Sequence, residues 1–216
     1  MNSLQFQWEP YIRFGEERRL KKNNILFRQG ETGRGFYYLY DGMVNVKILS
    51  SKGTERIVDY IPSGFLLGEQ GIQEVPYFST VVLDVDSLLY YFSFEAFHRL
   101  CKEHPEAGEI FMNSLIYKVR LLAETVTLLN SPPEYQMAHF LFKLHQKLNR
   151  TDLPINQTAL ARYIGTSRIT VYKILQQWLK DDMIEISNQT ILLKDIKKIK
   201  YILNLETPDN TKLPSI

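Results

Sequence analysis

The rhythm of apolar and polar residues changes three times along the chain. Between residues 20 and 95, short runs alternate with turn residues, and 24–28, 36–40, 43–49, 56–61, 80–85 and 88–92 each read as a strand. Eight of the 11 glycines fall from Gly30 to Gly71, where tight antiparallel turns need them. Strands at this spacing predict a sandwich or jelly roll. Residues 106–131 then take a helical period, starting after Pro105 and stopping before Pro132-Pro133. Met112, Leu115, Val119, Leu122, Val126 and Leu129 follow alternating steps of three and four. Met or Val at one heptad position with Leu at the other is the preference of a parallel two-stranded coiled coil, so this seam predicts a homodimer. Phe111, Ile116 and Leu121 remain to pack the same helix on its own barrel.

Beyond the proline pair, Met137, Phe140, Leu141, Leu144 and Leu148 line one face of a further helix. Residues 156–180, NQTALARYIGTSRITVYKILQQWLK, divide into two short helices around Gly165-Thr166-Ser167. Leu160, Ala161 and Ile164 form the apolar face of the first, with Asn156 as its N-cap. Gly165 suits the sharp turn, and Thr166 or Ser167 can cap the second helix. There Val171, Ile174, Leu175 and Trp178 make a buried stripe, opposite Arg168, Ile169, Thr170, Tyr172, Lys173 and Gln176. Two short helices with a glycine turn, the second rich in outward donors, are how a helix-turn-helix presents a recognition helix. Residues 184–187 and 190–193 read as a hairpin turning at Asn188-Gln189, which is the wing of a winged helix. A basic helix is expected over 194–203, and the polar tail from Asn204 is expected to fray.

Composition narrows the class. A 216-residue chain that is 44% hydrophobic can bury one large or two small cores. No stretch reaches the length of a membrane span, and the N-terminal residues lack the order of a secretory signal, so a cytoplasmic location without membrane contact is expected. Cys101 is the only cysteine, which excludes an intramolecular disulfide and reads as a core thiol. Net charge is +2, unevenly divided. Residues 1–131 hold 14 Lys+Arg against 16 Asp+Glu, and residues 132–216 hold 12 against 8. The basic excess lies with the helix-turn-helix, as phosphate binding requires.

A jelly roll can also be a metalloenzyme, with clustered His and Glu. His98, His104, His139 and His145 all lie outside the expected barrel, two of them flanking a short helix and two on a later one. Gly30-Glu-Thr-Gly33-Arg-Gly35 has neither P-loop nor dinucleotide spacing. No catalytic residue or metal site is assigned.

GTSRITVYKIL resembles the recognition motif of the Crp/Fnr family of bacterial transcription regulators, whose usual run is Gly-x-Ser-Arg-Glu-Thr-Val-x-Arg-x-Leu. Phe27-Arg-Gln-Gly30, Tyr38-Leu-Tyr-Asp-Gly42-Met-Val-Asn-Val46 and Ile61-Pro-Ser-Gly64-Phe-Leu-Leu-Gly68-Glu69 are similar to its cyclic-nucleotide-binding jelly roll. The resemblance implies an α+β chain: a jelly-roll sensor over 1–105, a dimerisation helix over 106–131 and a winged helix-turn-helix over 132–216. It implies DNA contacts from Gln157, Ser167, Arg168, Ile169, Thr170, Tyr172 and Lys173. The arginine matching Arg168 reads guanine in the family, and RNA polymerase is a partner if the protein activates. Ile169 departs from the usual glutamate. It cannot accept from cytosine and favours a thymine methyl, so a near-palindromic, A/T-rich site is expected.

The sensor departs as well. Cyclic-AMP-binding relatives carry an Arg-Ser pair where Phe78 and Ser79 stand here, and an apolar ring cannot neutralise phosphate. A Thr-Ser pair that meets adenine becomes Leu122-Ala123. One cysteine cannot hold the iron–sulfur cluster of oxygen-sensing relatives. Neither cofactor is expected, and the effector is open. A pocket bordered by Glu69, Tyr77, Phe78, Ser79, Tyr117 and Lys118, with Lys47 or Arg120 nearby, would suit a small aromatic acid, or its own side chains would fill it.

Overall fold

The computed structural model describes residues 5–51, 53–188 and 190–205. It forms two compact units that divide between Thr127 and Leu128.

The first unit is a sandwich of two four-stranded antiparallel sheets. Its strands are β1 (Glu16–Leu20), β2 (Ile25–Phe27), β3 (Gly35–Asp41), β4 (Met43–Leu49), β5 (Glu55–Pro62), β6 (Phe65–Leu67), β7 (Thr80–Leu83) and β8 (Ser87–Ser93). One sheet has the order β1-β8-β3-β6 and the other β2-β7-β4-β5, the alternation between sheets that makes a jelly roll. Between them lie Phe27, Leu39, Val44, Phe65, Leu67, Val81, Leu83 and Leu89.

Strand β3 is buried on both faces. Leu39 turns into the sandwich. Phe36 and Tyr38, on the opposite face, meet Trp8, Tyr11, Phe92, Leu100 and Phe111. This second cluster is closed by a 3-10 turn (Glu9–Phe14) and two helices, α1 (Phe94–Glu103) and α2 (Pro105–Leu128). Trp8 packs edge-on against Phe36 and Phe92, with ring centroids 5.4 and 5.5 Å apart. The run Phe36–Tyr40 therefore has no polar face, because helices cover the side that would otherwise meet water. β1 and β6 were not evident in the alternation. β1 is EERRL, an exposed edge strand whose Arg18 and Arg19 pair with Glu16 and Glu17. β6 is buried on both sides and so shows no alternation.

α2 uses one face for the barrel and leaves the other open. Ala107, Phe111 and Ser114 are buried, whereas Met112, Leu115, Val119, Leu122 and Val126 are all exposed, Val119 at 67%. Ile116, expected against the barrel, is exposed, and Leu121 is only half-buried. The barrel-facing positions instead include the polar Ser114 and Lys118, which an apolar pattern does not pick out. His98 lies inside α1, stacked beside Phe94, and not at its edge.

The second unit contains α3 (Pro133–Leu148), β9 (Asp152–Leu153), α4 (Gln157–Ile164), α5 (Arg168–Lys180), β10 (Ile184–Ser187), β11 (Thr190–Leu193) and α6 (Ile196–Ile202). Met137, Phe140, Leu141 and Leu144 of α3 are buried together with Leu160, Val171, Leu175 and Trp178. The indole Nε1 of Trp178 donates to Glu134 Oε1 at 2.7 Å, fixing α5 to the start of α3. β10 and β11 pair as the expected hairpin, and β9 adds a third strand against β11. Gln189 of the hairpin turn lies outside the described residues, as does the tail from residue 206, for which fraying was expected. Trp178→Ala should remove about 3–5 kcal/mol from this unit, read as a lower chemical denaturation midpoint.

Candidate nucleic-acid interface

The outward face of α5 is built by its N-terminus. Asn156 caps α4, its Oδ1 accepting from the Ala159 amide at 2.9 Å. Gly165 ends α4 with φ +76°, a left-handed conformation that L side chains resist. Two residues later Ser167 caps α5, accepting from the Thr170 amide at 3.1 Å. Its hydroxyl also lies 2.9 Å from Thr170 Oγ1. Of the seven residues expected to meet DNA, Ser167 and Thr170 are thus engaged with each other at the helix start.

Arg168, Ile169, Tyr172 and Lys173 are exposed, at 68% for Ile169 and 50% for Tyr172. Positions 169, 172, 173 and 176 lie along one face of a helix, with Arg168 at its edge. The opposite side holds Val171, Leu175 and Trp178 in the core. Neither Arg168 nor Lys173 has a hydrogen-bond or ion-pair partner among the described residues. Gln157 opens α4 half-buried, beside the cap. In the segment after α5, Lys194 pairs with Asp182, which raises the lysine's pKa and lowers the aspartate's. Lys198 donates to the Asp181 carbonyl at 2.7 Å. Those two lysines are held by neighbouring groups, whereas Arg168 and Lys173 of α5 are not.

In the barrel the residues expected to border a pocket separate. Tyr77 is 5% exposed and Phe78 65%, so neighbours in sequence point opposite ways. The Tyr77 ring stacks on Phe27, with centroids 3.9 Å apart, and its hydroxyl donates to the Gly35 carbonyl at 3.2 Å. Burial pushes its phenol pKa well up, so it stays a neutral donor. Backbone crowds this ring. A Cβ on Gly33 would come within 2.4 Å of the Gly71 Cα and 2.7 Å of the Tyr77 ring. Glu69 is 2% exposed, and Ser114 Oγ of α2 donates to its Oε1 at 2.7 Å. Lys118 Nζ pairs with the other carboxylate oxygen and donates to the Leu66 carbonyl at 3.0 Å. Tyr117 stacks on Phe65 at 5.9 Å, Ser79 is buried, and Lys47 pairs with Glu55 at 3.3 Å. Tyr77 is core, Phe78 is surface and the Lys118 ammonium is committed to Glu69. Tyr77, Tyr117 and Lys118 thus meet the chain's own side chains, the alternative the sequence left open beside a ligand pocket. Polar Ser114, lying between the exposed Met112 and Leu115, gave no sequence signal of this contact.

Cys101 is partly buried, and burial pushes its thiol pKa up, which keeps thiolate scarce at neutral pH. Among the described residues no group of three His, Cys, Asp or Glu could hold a metal ion, and no helix is long and apolar enough to cross a membrane.

A jelly roll followed by a long helix and a winged helix-turn-helix defines a two-unit DNA-binding regulator, and the comparisons agree. Residues 17–104 match the model of a cyclic nucleotide-binding domain, and residues 136–202 that of a Crp-like helix-turn-helix domain. Regulatory protein HlyX of Actinobacillus pleuropneumoniae is 20% identical over 188 residues, covering 83% of this chain and 78% of that one. The cAMP-activated global transcriptional regulator CRP of Salmonella typhimurium is 23% identical over 179 residues, covering 79% and 85%. The fold also matches FixK2 from Bradyrhizobium japonicum with TM-score 0.76 at 16% identity, over 87% of this chain and 96% of that one. The chain belongs to the Crp/Fnr family of transcription regulators, and it is a DNA-binding regulator and not an enzyme.

Removing one partner of the buried ion pair should test its weight. Lys118→Met leaves the Glu69 carboxylate buried without its cation and should cost the first unit about 3–5 kcal/mol. Glu69→Gln combined with Lys118→Met should recover much of that loss, measured by urea denaturation.

Proposed function

We propose that the protein acts as a cytoplasmic homodimer that binds a near-palindromic, A/T-rich duplex and regulates transcription from it. The observation that carries this reading is the outward face of α5, where Arg168, Ile169, Tyr172 and Lys173 stand exposed and the two cations are unpaired. Arg168 offers a two-pronged donor to guanine, and Lys173 a point charge to phosphate or guanine. Gln157 and the Ser167–Thr170 pair sit at helix starts, where they suit phosphate.

The dimer rests on the open face of α2. Met112, Leu115, Val119, Leu122 and Val126 are 41–67% exposed and recur at heptad spacing, and Leu129, one residue past the end of α2, is exposed as well. Such a stripe exposed to water is unfavourable, and a second copy of the same helix covers it. Twofold symmetry then places two recognition helices on half-sites about one DNA turn apart. Contact with RNA polymerase follows if the protein activates.

A signal at the jelly roll controls DNA affinity in this reading, and cyclic AMP is not that signal. Phe78 stands exposed where phosphate would need a cation, and the Lys118 charge is already balanced by Glu69. An iron–sulfur cluster is not part of this reading either, since Cys101 is the one cysteine of the sequence.

Selection of bound duplexes from a random library should enrich an inverted repeat whose affinity falls steeply with salt. Failure to enrich any duplex, with or without candidate effectors, would sink the regulator reading. Arg168→Ala should cost about 1–3 kcal/mol and relax preference at one base pair, whereas Lys173→Ala should weaken all sequences and reduce the salt slope by about 1. Leu122→Lys should yield a folded monomer in sedimentation, with DNA affinity lower by about a hundredfold or more.

A further inference from the structure

The recognition helix shows two large apolar side chains to solvent where its core needs none. Ile169 is 68% and Tyr172 50% exposed. They are three residues apart, so they share one face and make an apolar strip about one helical turn long. The core of the unit is complete without them, because Val171, Leu175 and Trp178 are at most 1% exposed on the other side. The hydroxyls of Ser167 and Thr170 are held 2.9 Å apart and engage each other. The free polar groups are Arg168 and Lys173, which flank the strip and draw it towards phosphate-lined DNA. A major groove presents one apolar group at base-edge depth, the C5-methyl of a pyrimidine.

We propose that Ile169 and Tyr172 form a reader for the C5-methyl group itself, whichever pyrimidine carries it. This rests on the DNA-binding reading and deepens it. Isoleucine has neither donor nor acceptor, so it is indifferent to whether the ring bears the thymine O4 or the cytosine N4. The Tyr172 ring supplies a second wall, and dispersion and dehydration of one methyl supply the discrimination. The strip therefore prefers thymine over uracil, and 5-methylcytosine over cytosine, at the same step of each half-site. Methylation of cytosine in an operator would then strengthen binding by this protein, where an acidic side chain at position 169 would read the cytosine amino group instead.

The test uses full-length protein and the best duplex from the selection. Each thymine is replaced in turn by uracil, symmetrically in both half-sites. At the step facing Ile169, cytosine and 5-methylcytosine are then compared. Burial of one methyl predicts a loss of about fourfold per half-site for uracil, or roughly fifteenfold for the pair, and a gain of similar size for 5-methylcytosine over cytosine. In Ile169→Ala both differences should collapse to within about twofold, while the melting temperature stays unchanged because the side chain is exposed. Tyr172→Ala should reduce them in part. Equal affinity for uracil and thymine at every position would overturn the reader, as would a difference that persists undiminished in Ile169→Ala. Absence of any selected duplex would instead count against DNA binding, so the two failures are distinct.

Discussion

A carboxylate taken out of water must be paired, and the arrangement of the first unit follows from that constraint at Glu69. The residue is almost fully buried, and its two oxygens are met by Ser114 and Lys118, one helical turn apart on α2. Once those two side chains turn inward, the rotation of the helix is set. Ala107 and Phe111 fall on the same side, against the aromatic cluster, and the heptad residues are left facing outward. Barrel attachment and the exposed heptad stripe are therefore opposite consequences of one rotational setting. The ion pair adds orientation that apolar contacts alone would specify weakly.

Most of the architecture was legible because it rests on periodicity. Residues 184–193 showed a hairpin, 156–180 showed two capped helices, and the seam of α2 kept its spacing, since in each case one face is wet and the other dry. What was not legible came from elements without that contrast. β1 is a charged edge strand, and β6 is buried on both faces. The strand Phe36–Tyr40 suggested alternation, yet its two faces serve two cores. Among the candidate site residues, the exposed face of α5 followed from the buried stripe opposite it. The barrel residues did not, because sequence neighbours such as Tyr77 and Phe78 diverge, and because Lys118 and Glu69 sit 49 positions apart with no pattern linking them.

In the second unit the turn governs the interface. A left-handed Gly165 brings Ser167 into capping position, and the cap defines where α5 begins. That start places Arg168 at the first turn and Ile169 outward. One residue of slippage would rotate every outward side chain by about 100° and bury the wrong face. Trp178, tied to Glu134, holds the far end of α5. The helix is thus fixed at both ends, and its outward face is carried by a rigid element whose exposed side chains vary at little cost to the fold.

The crowding around Tyr77 has a consequence for how this barrel can change over generations. A side chain at Gly33 or Gly71 would strike the ring or the facing backbone, a Cβ on Gly71 falling 2.2 Å from the Gly35 carbonyl and 2.7 Å from the Tyr77 hydroxyl. Each of these positions constrains the others, so a smaller residue at 77 would leave a void that no single neighbouring substitution refills. Drift towards an open ligand chamber would have to pass through destabilised intermediates. Ile169 and Tyr172, both exposed, can vary one residue at a time, which leaves the outward face of α5 freer to diversify than the packing of the barrel.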